Sequence, residues 1–488
     1  MRILFIINVQ DLGFEEPLGA LYLSAAAKKL GHEVFAVENV LSAVERKIEE
    51  IKPDLLAVRA LTPSFPYLYK LLREVRRRHG IPTVVGGPHA TYFPEIIAEE
   101  GIDYVFRGEG ENSFIEFLDA LSGAGSMEGV CNVTHRADGS VVSNPLAPLI
   151  DDLDGIAFPD RELLAEYKQF SESDIRSVMA SRGCPYQCSY CFNNQYQGMY
   201  KDLGKKLRTR SVDNVVAECK ELKGRYNAKM IHFFDDIFPF KSSWVEEFAD
   251  KYGSEVGLPF ITNTSFNVCS EHYVDALSRA GCKCLLIGVE TGNEYFREKI
   301  LFRKMKNEMM VEKAALVRSR GIKIYTQNLI GLPLGSLELD METLRLNMAL
   351  KADYAGAYLC QPYPGTPIEK IAKDAGLFES DKEFNRSFYY SSKIRIADRD
   401  KVERLRILFP VVVNFPWLLN FIYLLVRLPS FPFGLAGKLL HGYKIKTVIL
   451  RYPMSVSSFI KKTTLFFTRS INRMTVEGDD VIEKGGRL

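Results

Sequence analysis

Residues 181–194 read SRGCPYQCSYCFNN. Cys184, Cys188 and Cys191 stand there in a C-x3-C-x2-C spacing, with Gly183 before the first and Phe192-Asn193 after the last. Three thiols this close in one loop ask for a metal or a redox partner. A structural zinc site takes four ligands, usually as two Cys or Cys/His pairs. No second pair is near, because Cys219 lies 28 residues past Cys191 inside a helical pattern. A cubane 4Fe–4S cluster usually takes four thiolates. Three leave one iron without a protein ligand, which is an opening for an exogenous molecule.

Working outward, SVMASRG (177–183) predicts a strand that runs into this loop. AKMIHFFDDIFPF (228–240) predicts a second strand, ending at Asp235-Asp236. FITNTSF (260–266), CLLIGVETGN (284–293), IKIYTQNLIGLP (322–333) and AYLCQPYPGTPI (357–368) predict four more. Segments with helical periodicity, such as SVDNVVAECKELKGR and EHYVDALSRAG, separate them. Six strand–helix units make an incomplete, open (β/α)6 barrel with the cysteine loop at its top. Side chains at the carboxyl ends of barrel strands sit where catalytic groups sit in such folds. The plainer role for Asp235 and Asp236 is to cap the next helix.

The first 145 residues alternate in the same way. ILFIINV (3–9), EVFAVEN (33–39), DLLAVRA (54–60), IPTVVGG (81–87) and DYVF (103–106) predict strands. LGALYLSAAAKKLG, AVERKIEEIK and YLYKLLREVRRRHG predict helices between them. Such regular alternation implies a doubly wound parallel sheet. Its ligands bind beyond the carboxyl ends of the strands, which here carry the loops 8–19, 60–66, 86–90 and 107–112. Gly86-Gly87 lets a ligand approach the backbone, since neither residue has a Cβ. No GxGxxG is present, so dinucleotide binding has little support.

C-x3-C-x2-C with an aromatic, Tyr190, before the last cysteine resembles the signature of the radical S-adenosylmethionine (SAM) superfamily. The resemblance implies that the open iron holds the amino and carboxylate groups of SAM. One electron then splits the sulfonium into methionine and a 5′-deoxyadenosyl radical, which abstracts hydrogen. It also places Tyr190, Asp235, Asp236, Glu290, Thr291, Gln327 and Asn328 around SAM. Asp235 and Asp236 would take its amino group, and Glu290 and Thr291 its ribose or methionyl part. The PGTP turn (364–367) recurs in the subfamily that carries cobalamin domains.

GFEEPLGALYLSAAAKKLGHEV (13–34), VVGGPHAT (84–91) and FRGEGENSF (106–114) resemble that cobalamin-binding, Rossmann-like domain. By this resemblance Thr62, Gly86, Gly87, His89, Gly108 and Glu109 are candidate cobalamin contacts. A capping or packing role for His89 is an equal alternative, and a flavodoxin-like domain without cofactor is the alternative for the whole unit. Residues 8–19 contain no histidine, so that loop supplies no lower ligand to cobalt. The likeness spans roughly residues 1–385. The expected division is 1–145 for the cobalamin-type domain, 146–172 for a Pro- and Asp-rich linker, 173–385 for the barrel and 386–488 for a mostly helical C-terminal region.

Paired in this way, the domains resemble class B radical SAM methylases, in which methylcobalamin docks between the two domains and a substrate radical takes the methyl group. Relatives of the same architecture perform oxidative cyclisation, ring contraction or carbon–carbon coupling. A cobalamin-reading sensor without catalysis is the alternative from another class. A methylthiotransferase is a poor fit, because residues 1–150 contain only Cys131. A small hydrophobic substrate (a lipid or tetrapyrrole) and a flavodoxin- or ferredoxin-type electron donor are the expected partners.

From Arg404 to Val476 there is no Asp or Glu but there are eleven Lys and Arg, and residues 407–426 carry no charge at all. Twenty such residues match a bilayer span in length, but Pro410, Asn414, Pro416 and Asn420 weaken a simple transmembrane helix. Peripheral membrane contact through 404–476 and a plain helical cap over the barrel are the two readings. Recognisable RNA-binding modules are missing, so nucleic acid is not expected. Nine cysteines in 488 residues are too few for a secreted disulfide scaffold. The N-terminus has no signal-peptide pattern. A cytoplasmic location is expected, at the inner membrane face if the C-terminal region binds lipid. Cys131, Cys219, Cys269, Cys282, Cys284 and Cys360 are expected to be ordinary buried thiols, with Cys360 at a strand end open to substrate.

Overall fold

The computed structural model describes residues 1–7, 16–379, 392–429 and 431–452. They form two compact units, Met1–Ser173 with Asp202–Lys205, and Asp174–Lys201 with the rest from Lys206.

The first unit holds strands β1 (Arg2–Ile7), β2 (Glu33–Glu38), β3 (Leu55–Arg59), β4 (Thr83–Gly86), β5 (Tyr104–Phe106), β6 (Val133–Ala137) and β7 (Ser140–Ser143). They form one sheet in the order β2-β1-β3-β4-β5-β6-β7. The first five are parallel, and their apolar runs are buried because helices cover both faces. The last two add antiparallel and were not expected. Their turn was legible: Asp138 and Gly139 both take positive φ, 48° and 77°, as a two-residue hairpin turn requires.

Residues 146–172, expected as a linker, are laid onto this unit. Ile150 N donates to Glu109 Oε2 at 3.0 Å, and Ser24 Oγ donates to Asp160 Oδ2 at 2.6 Å. Leu149, Leu153, Leu163 and Leu164 are buried. Aspartates that suggested a free tether instead make local contacts, Asp160 with Ser24 and Lys28 and Asp152 with Asp154 N.

The second unit is an open six-stranded sheet: β8 (Ile175–Val178), β11 (Met230–Phe233), β12 (Phe260–Thr264), β13 (Cys282–Glu290), β14 (Lys323–Ile330) and β15 (Tyr354–Leu359). Their order is β15-β14-β13-β12-β11-β8, every pair parallel. Two short antiparallel strands, β9 (Ser181–Arg182) and β10 (Arg208–Thr209), bracket the three-cysteine loop. Val178, Ile231, Phe233, Phe260, Leu285, Ile287 and Val289 pack outward against the helices, so the alternate positions face the concave side. Serines 211, 270 and 336 cap three of those helices by accepting a backbone N–H.

Asp340, in the helix Leu337–Ala349, is buried, and both its carboxylate oxygens lie 3.2 Å from Gly331 N. Burial pushes its carboxyl from 3.8 up to about 8. Between those values the folded chain keeps a proton that the unfolded chain releases, so this group makes stability fall as pH rises from about 4 to about 8, with no further loss above. Asp340→Asn is expected to flatten that slope and to melt at a higher temperature than the parent at pH 8. Thermal melts at pH 6 and pH 8 measure it.

The C-terminal stretch is continuous with the barrel rather than separate from it. In the helix Arg399–Asn414, Val402, Leu405, Leu408, Phe409 and Val412 are buried against Ala355, Ala357 and Leu359 of β15. A 3-10 turn at Pro416–Phe421 then precedes the short helix Ile422–Leu425, as a proline lacking its N–H dictates. The uncharged run is thus broken into pieces. Among the described residues no helix is long and apolar enough to cross a membrane. The helix Phe431–Lys444 brings His441 Nδ1 to 2.6 Å from the Tyr354 hydroxyl.

Candidate active site

The three-cysteine loop leaves β9 through Gly183, whose φ is +90°. A Cβ there would lie 1.8 Å from the carbonyl oxygen of Lys206, so no other residue fits. Three distant segments hold the loop. Asp235 accepts from Ala180 N (3.2 Å) and from Ser181 N and Oγ (2.5 Å each). Ser189 N donates to Leu301 O, and Ser189 O accepts from Ile368 N. Gln195 Nε2 donates to Pro364 O at 3.2 Å, so the PGTP turn grips the helix Phe192–Met199 that follows the cysteines.

Cys184, Cys188 and Cys191 are free thiols. Burial pushes Cys184 up to about 11 and Cys191 to about 12, and the charges of the three act on one another. Among the described residues no three His, Cys, Asp or Glu groups are close enough to hold a single metal ion. Three thiols in one short loop, within electrostatic reach of one another, suit a polynuclear cluster. N–H donors already point at the sulfurs: Asn193 N to Cys191 Sγ at 3.5 Å and Arg303 Nη1 to Cys188 Sγ at 3.7 Å. Such donors stabilise an anionic iron–sulfur core, so the donor set fits a cluster.

Beside the loop, Tyr190 Oη donates to Glu290 Oε1 at 2.8 Å. Arg303 Nη1 lies 3.0 Å from Tyr190 Oη and 3.7 Å from Glu290 Oε1, and its Nη2 donates to Gly288 O at 2.8 Å. Glu290 has φ +67° at a bulge between β13 and β14, a strained state that non-glycine residues adopt only when the surroundings enforce it. A Cβ on Gly288 would meet Glu290 Oε1 at 2.2 Å. Glycine at 288 therefore leaves the Glu290 carboxylate in this position, and a larger residue would push it aside. Burial raises the Glu290 carboxyl, and the Arg303 guanidinium and Tyr190 hydroxyl oppose that rise.

Arg303 and Arg297 were not singled out in the sequence. Arg297 is fully buried and donates to the carbonyls of Thr291 and Met305 and to Asn307 Oδ1. It folds the loop after β13 onto itself, and that loop presents Arg303. A charged side chain in a loop normally reads as solvated surface, so no local signal marked either residue.

The expected SAM residues separate into two groups. Tyr190, Glu290 and Asp236 gather around the cysteines, Asp236 through Asn193 Nδ2 at 3.0 Å. Gln327 pairs with Gly288 across β13 and β14, on the concave side. Thr291 and Asn328 face the helix layer instead. Thr291 Oγ1 lies 3.4 Å from Thr343 Oγ1. The Asn328 amide is engaged by Asn347, Thr326 and the Gly356 carbonyl. Asp235 also differs from expectation, because its carboxylate is spent on the loop backbone. Burial pushes it up to about 7, its hydrogen bonds from Ser181 and Ala180 acting the other way. Cys360, expected open to substrate, is buried against Ile368 and Ile394.

In the first unit, strand order reverses between β1 and β3, the switch point where open sheets of this type bind ligands. Phe5, Ile6, Ile7, Pro17, Ala20, Arg59, Leu61 and Ser64 line a depression there. Of the expected cobalamin contacts, Gly87 has φ +92° and faces Ala60 so closely that a Cβ would sit 3.0 Å from its oxygen. Gly108 N donates to Thr91 Oγ1. Gly86 is the last residue of β4. His89 stacks between Phe65 and Phe93 at 4.2 and 4.9 Å, with Nδ1 3.2 Å from Thr62 Oγ1, and burial lowers it to about 4. The imidazole is therefore neutral and packed. Glu109 accepts from Ile150 N rather than facing the strand ends. Residues 8–15, most of the loop expected to lack a cobalt ligand, lie outside the described residues. The depression at the switch point marks where a corrin would be held, because open sheets of this type take their ligands there.

Residues 6–118 match the B12 binding domain and residues 178–345 the radical SAM superfamily. The chain is a radical SAM enzyme with an N-terminal B12-binding domain, and the cofactors of those two domains are a 4Fe–4S cluster, SAM and cobalamin. It is 27% identical to an uncharacterized methyltransferase of Pyrococcus horikoshii over 73% of this chain and 78% of that one. It is 25% identical to the anaerobic magnesium-protoporphyrin IX monomethyl ester cyclase of Rubrivivax gelatinosus, over 85% and 77%. Its fold is that of the radical SAM methyltransferase TsrM from Kitasatospora setae, with a TM-score of 0.64 at 20% identity over 77% and 79% of the two chains.

Proposed function

We propose that the chain transfers a methyl group to an unactivated carbon of a hydrophobic substrate, a lipid or a tetrapyrrole. The observation that carries this reading is one chain that joins a B12-binding domain to an intact three-cysteine loop backed by the Tyr190–Glu290–Arg303 cluster. When bound, the cluster and SAM supply a carbon-centred radical and cobalamin supplies the methyl group. The residues of the chain orient and enclose. Tyr190 Oη fixes the Glu290 carboxylate, which is set to take a hydroxyl or ammonium group of SAM. Asp236 lies open beside the cysteines as the second such acceptor. Gln327 adds an amide on the concave side, and Asp235 keeps the loop in place. The reductant is of flavodoxin or ferredoxin type.

The likeness to the cyclase of Rubrivivax gelatinosus over 85% of this chain favours a second reading, oxidative cyclisation without methyl transfer. Anaerobic holoenzyme given SAM with a trideuterated methyl group, a reductant and a lipid or tetrapyrrole extract separates the two. A product heavier by the labelled methyl group supports transfer. Formation of 5′-deoxyadenosine with an unlabelled, oxidised product supports cyclisation instead.

A further inference from the structure

Nine of the 16 large apolar side chains that are exposed among the described residues fall between Phe415 and Tyr443. They are arranged in two stripes. Trp417 (63% exposed), Phe421, Leu424 and Leu428 recur at intervals of four, three and four residues. Leu435 (56%), Leu439 and Tyr443 (61%) recur every four along the helix Phe431–Lys444. Such spacing puts each set on one face of a helical turn. The opposite faces are anchored: Ile422 and Val426 are buried, and Leu418, Leu419 and Leu425 pack on the same core as Val402 and Leu405. The outward stripes are therefore held by folded structure. An apolar patch of this size on a folded surface marks an interaction site.

Charge decides what covers it. Of the 63 Lys and Arg in the chain, eleven lie between Arg404 and Val476, and of the 61 Asp and Glu none does. The remainder of the chain is left net acidic. The carboxylate recorded against the patch comes from another element, Glu338, and Tyr423 Oη donates to it at 2.7 Å. Arg427 and Lys444 flank the stripes in the sequence, and a second copy joined through the same face by a two-fold axis would set these cations against their own kind, which disfavours self-association. Trp, Tyr, Phe and Leu beside Lys and Arg suit the headgroup boundary of an anionic bilayer, entered to a shallow depth.

We propose that the surface carrying Trp417, Phe421, Leu424, Leu435, Leu439 and Tyr443 docks this enzyme on an anionic lipid bilayer. The contact lies on the membrane and does not span it. It deepens the reading of a hydrophobic substrate by naming where that substrate is met, but the docking itself needs no substrate.

The full-length holoenzyme is floated with vesicles of phosphatidylcholine alone and with vesicles containing phosphatidylglycerol. Two variants are compared, Trp417→Glu with Leu424→Glu, and Leu435→Glu with Leu439→Glu. All four positions are exposed, so the fold and the iron–sulfur absorption are expected to persist. The parent is expected to float with the anionic vesicles and to bind neutral ones roughly tenfold less, with binding weakened by salt. Each variant is expected to lose roughly tenfold or more. No flotation of the parent, equal binding to both vesicle types, or variants that float like the parent each overturn the proposal. So does a parent dimer that the variants convert to monomers in sedimentation velocity. Flotation without labelled methyl transfer counts against the proposed reaction, whereas 5′-deoxyadenosine formation without flotation counts against docking.

Discussion

Anaerobically reconstituted Cys184→Ala protein is expected to lose the broad iron–sulfur absorption and to form no detectable 5′-deoxyadenosine under strong reductant. The loop offers three thiols to the cluster and has no spare. Among the described residues Cys219, Cys269, Cys282, Cys284 and Cys360 are buried elsewhere, so none of them substitutes. Cys131→Ala is the matched control, since it removes a thiol in the first unit; its iron content and absorption are expected to equal those of the parent. A Cys184→Ala protein that kept the full cluster spectrum would refute the ligand assignment. Loss of iron together with loss of the folded barrel would be uninformative, so circular dichroism accompanies the iron count. The Asp235 and Ile368 clamps do not involve the thiol, and the barrel is expected to stay folded.

Gly288→Ala is expected to leave the cluster intact and weaken SAM binding by about 10- to 100-fold, equivalent to about 1.4–2.7 kcal/mol. The new methyl group would overlap Glu290 Oε1 and lie 3.5 Å from Arg303 Nη1. The carboxylate has to swing off Tyr190, and its backbone, already at φ +67°, has little freedom to follow. Glu290→Gln keeps the shape and removes the charge, and is expected to fall between the parent and Gly288→Ala. SAM titration of the reduced cluster, followed by electron paramagnetic resonance, reads both. A Gly288→Ala protein that binds SAM as tightly as the parent would remove Glu290 from the SAM site.

Most of the architecture was legible in the residues because parallel strands buried on both faces spell themselves as unbroken apolar runs. ILFII of ILFIINV, whose last two residues lie outside the described residues, LLAVR of DLLAVRA, and CLLIGVE each fall on a strand of the structure. What the sequence did not convey is which face a side chain takes near a strand end. Strict alternation fails where β13 bulges between Gly288 and Glu290, and past that point Thr291 turns to the helix while Glu290 turns inward. The same difficulty separated Asp235 from Asp236, neighbours that face opposite ways once the chain leaves β11. Arg303 was hidden for another reason. Its partners Tyr190 and Gly288 come from two other segments, and no local pattern encodes a meeting of three. The uncharged run 407–426 misled by length alone. Proline placement and burial on β15 divide it between core and surface.

The cysteine loop is fastened by Asp235, Leu301 and Ile368, residues that leave the ribosome progressively later than the cysteines themselves. The nest for iron therefore takes shape only after translation has passed Ile368 and the sheet has closed up to β15. Cluster assembly is therefore expected to follow translation of that segment, since a chain stalled before it would hold its three thiols without the framework that positions them.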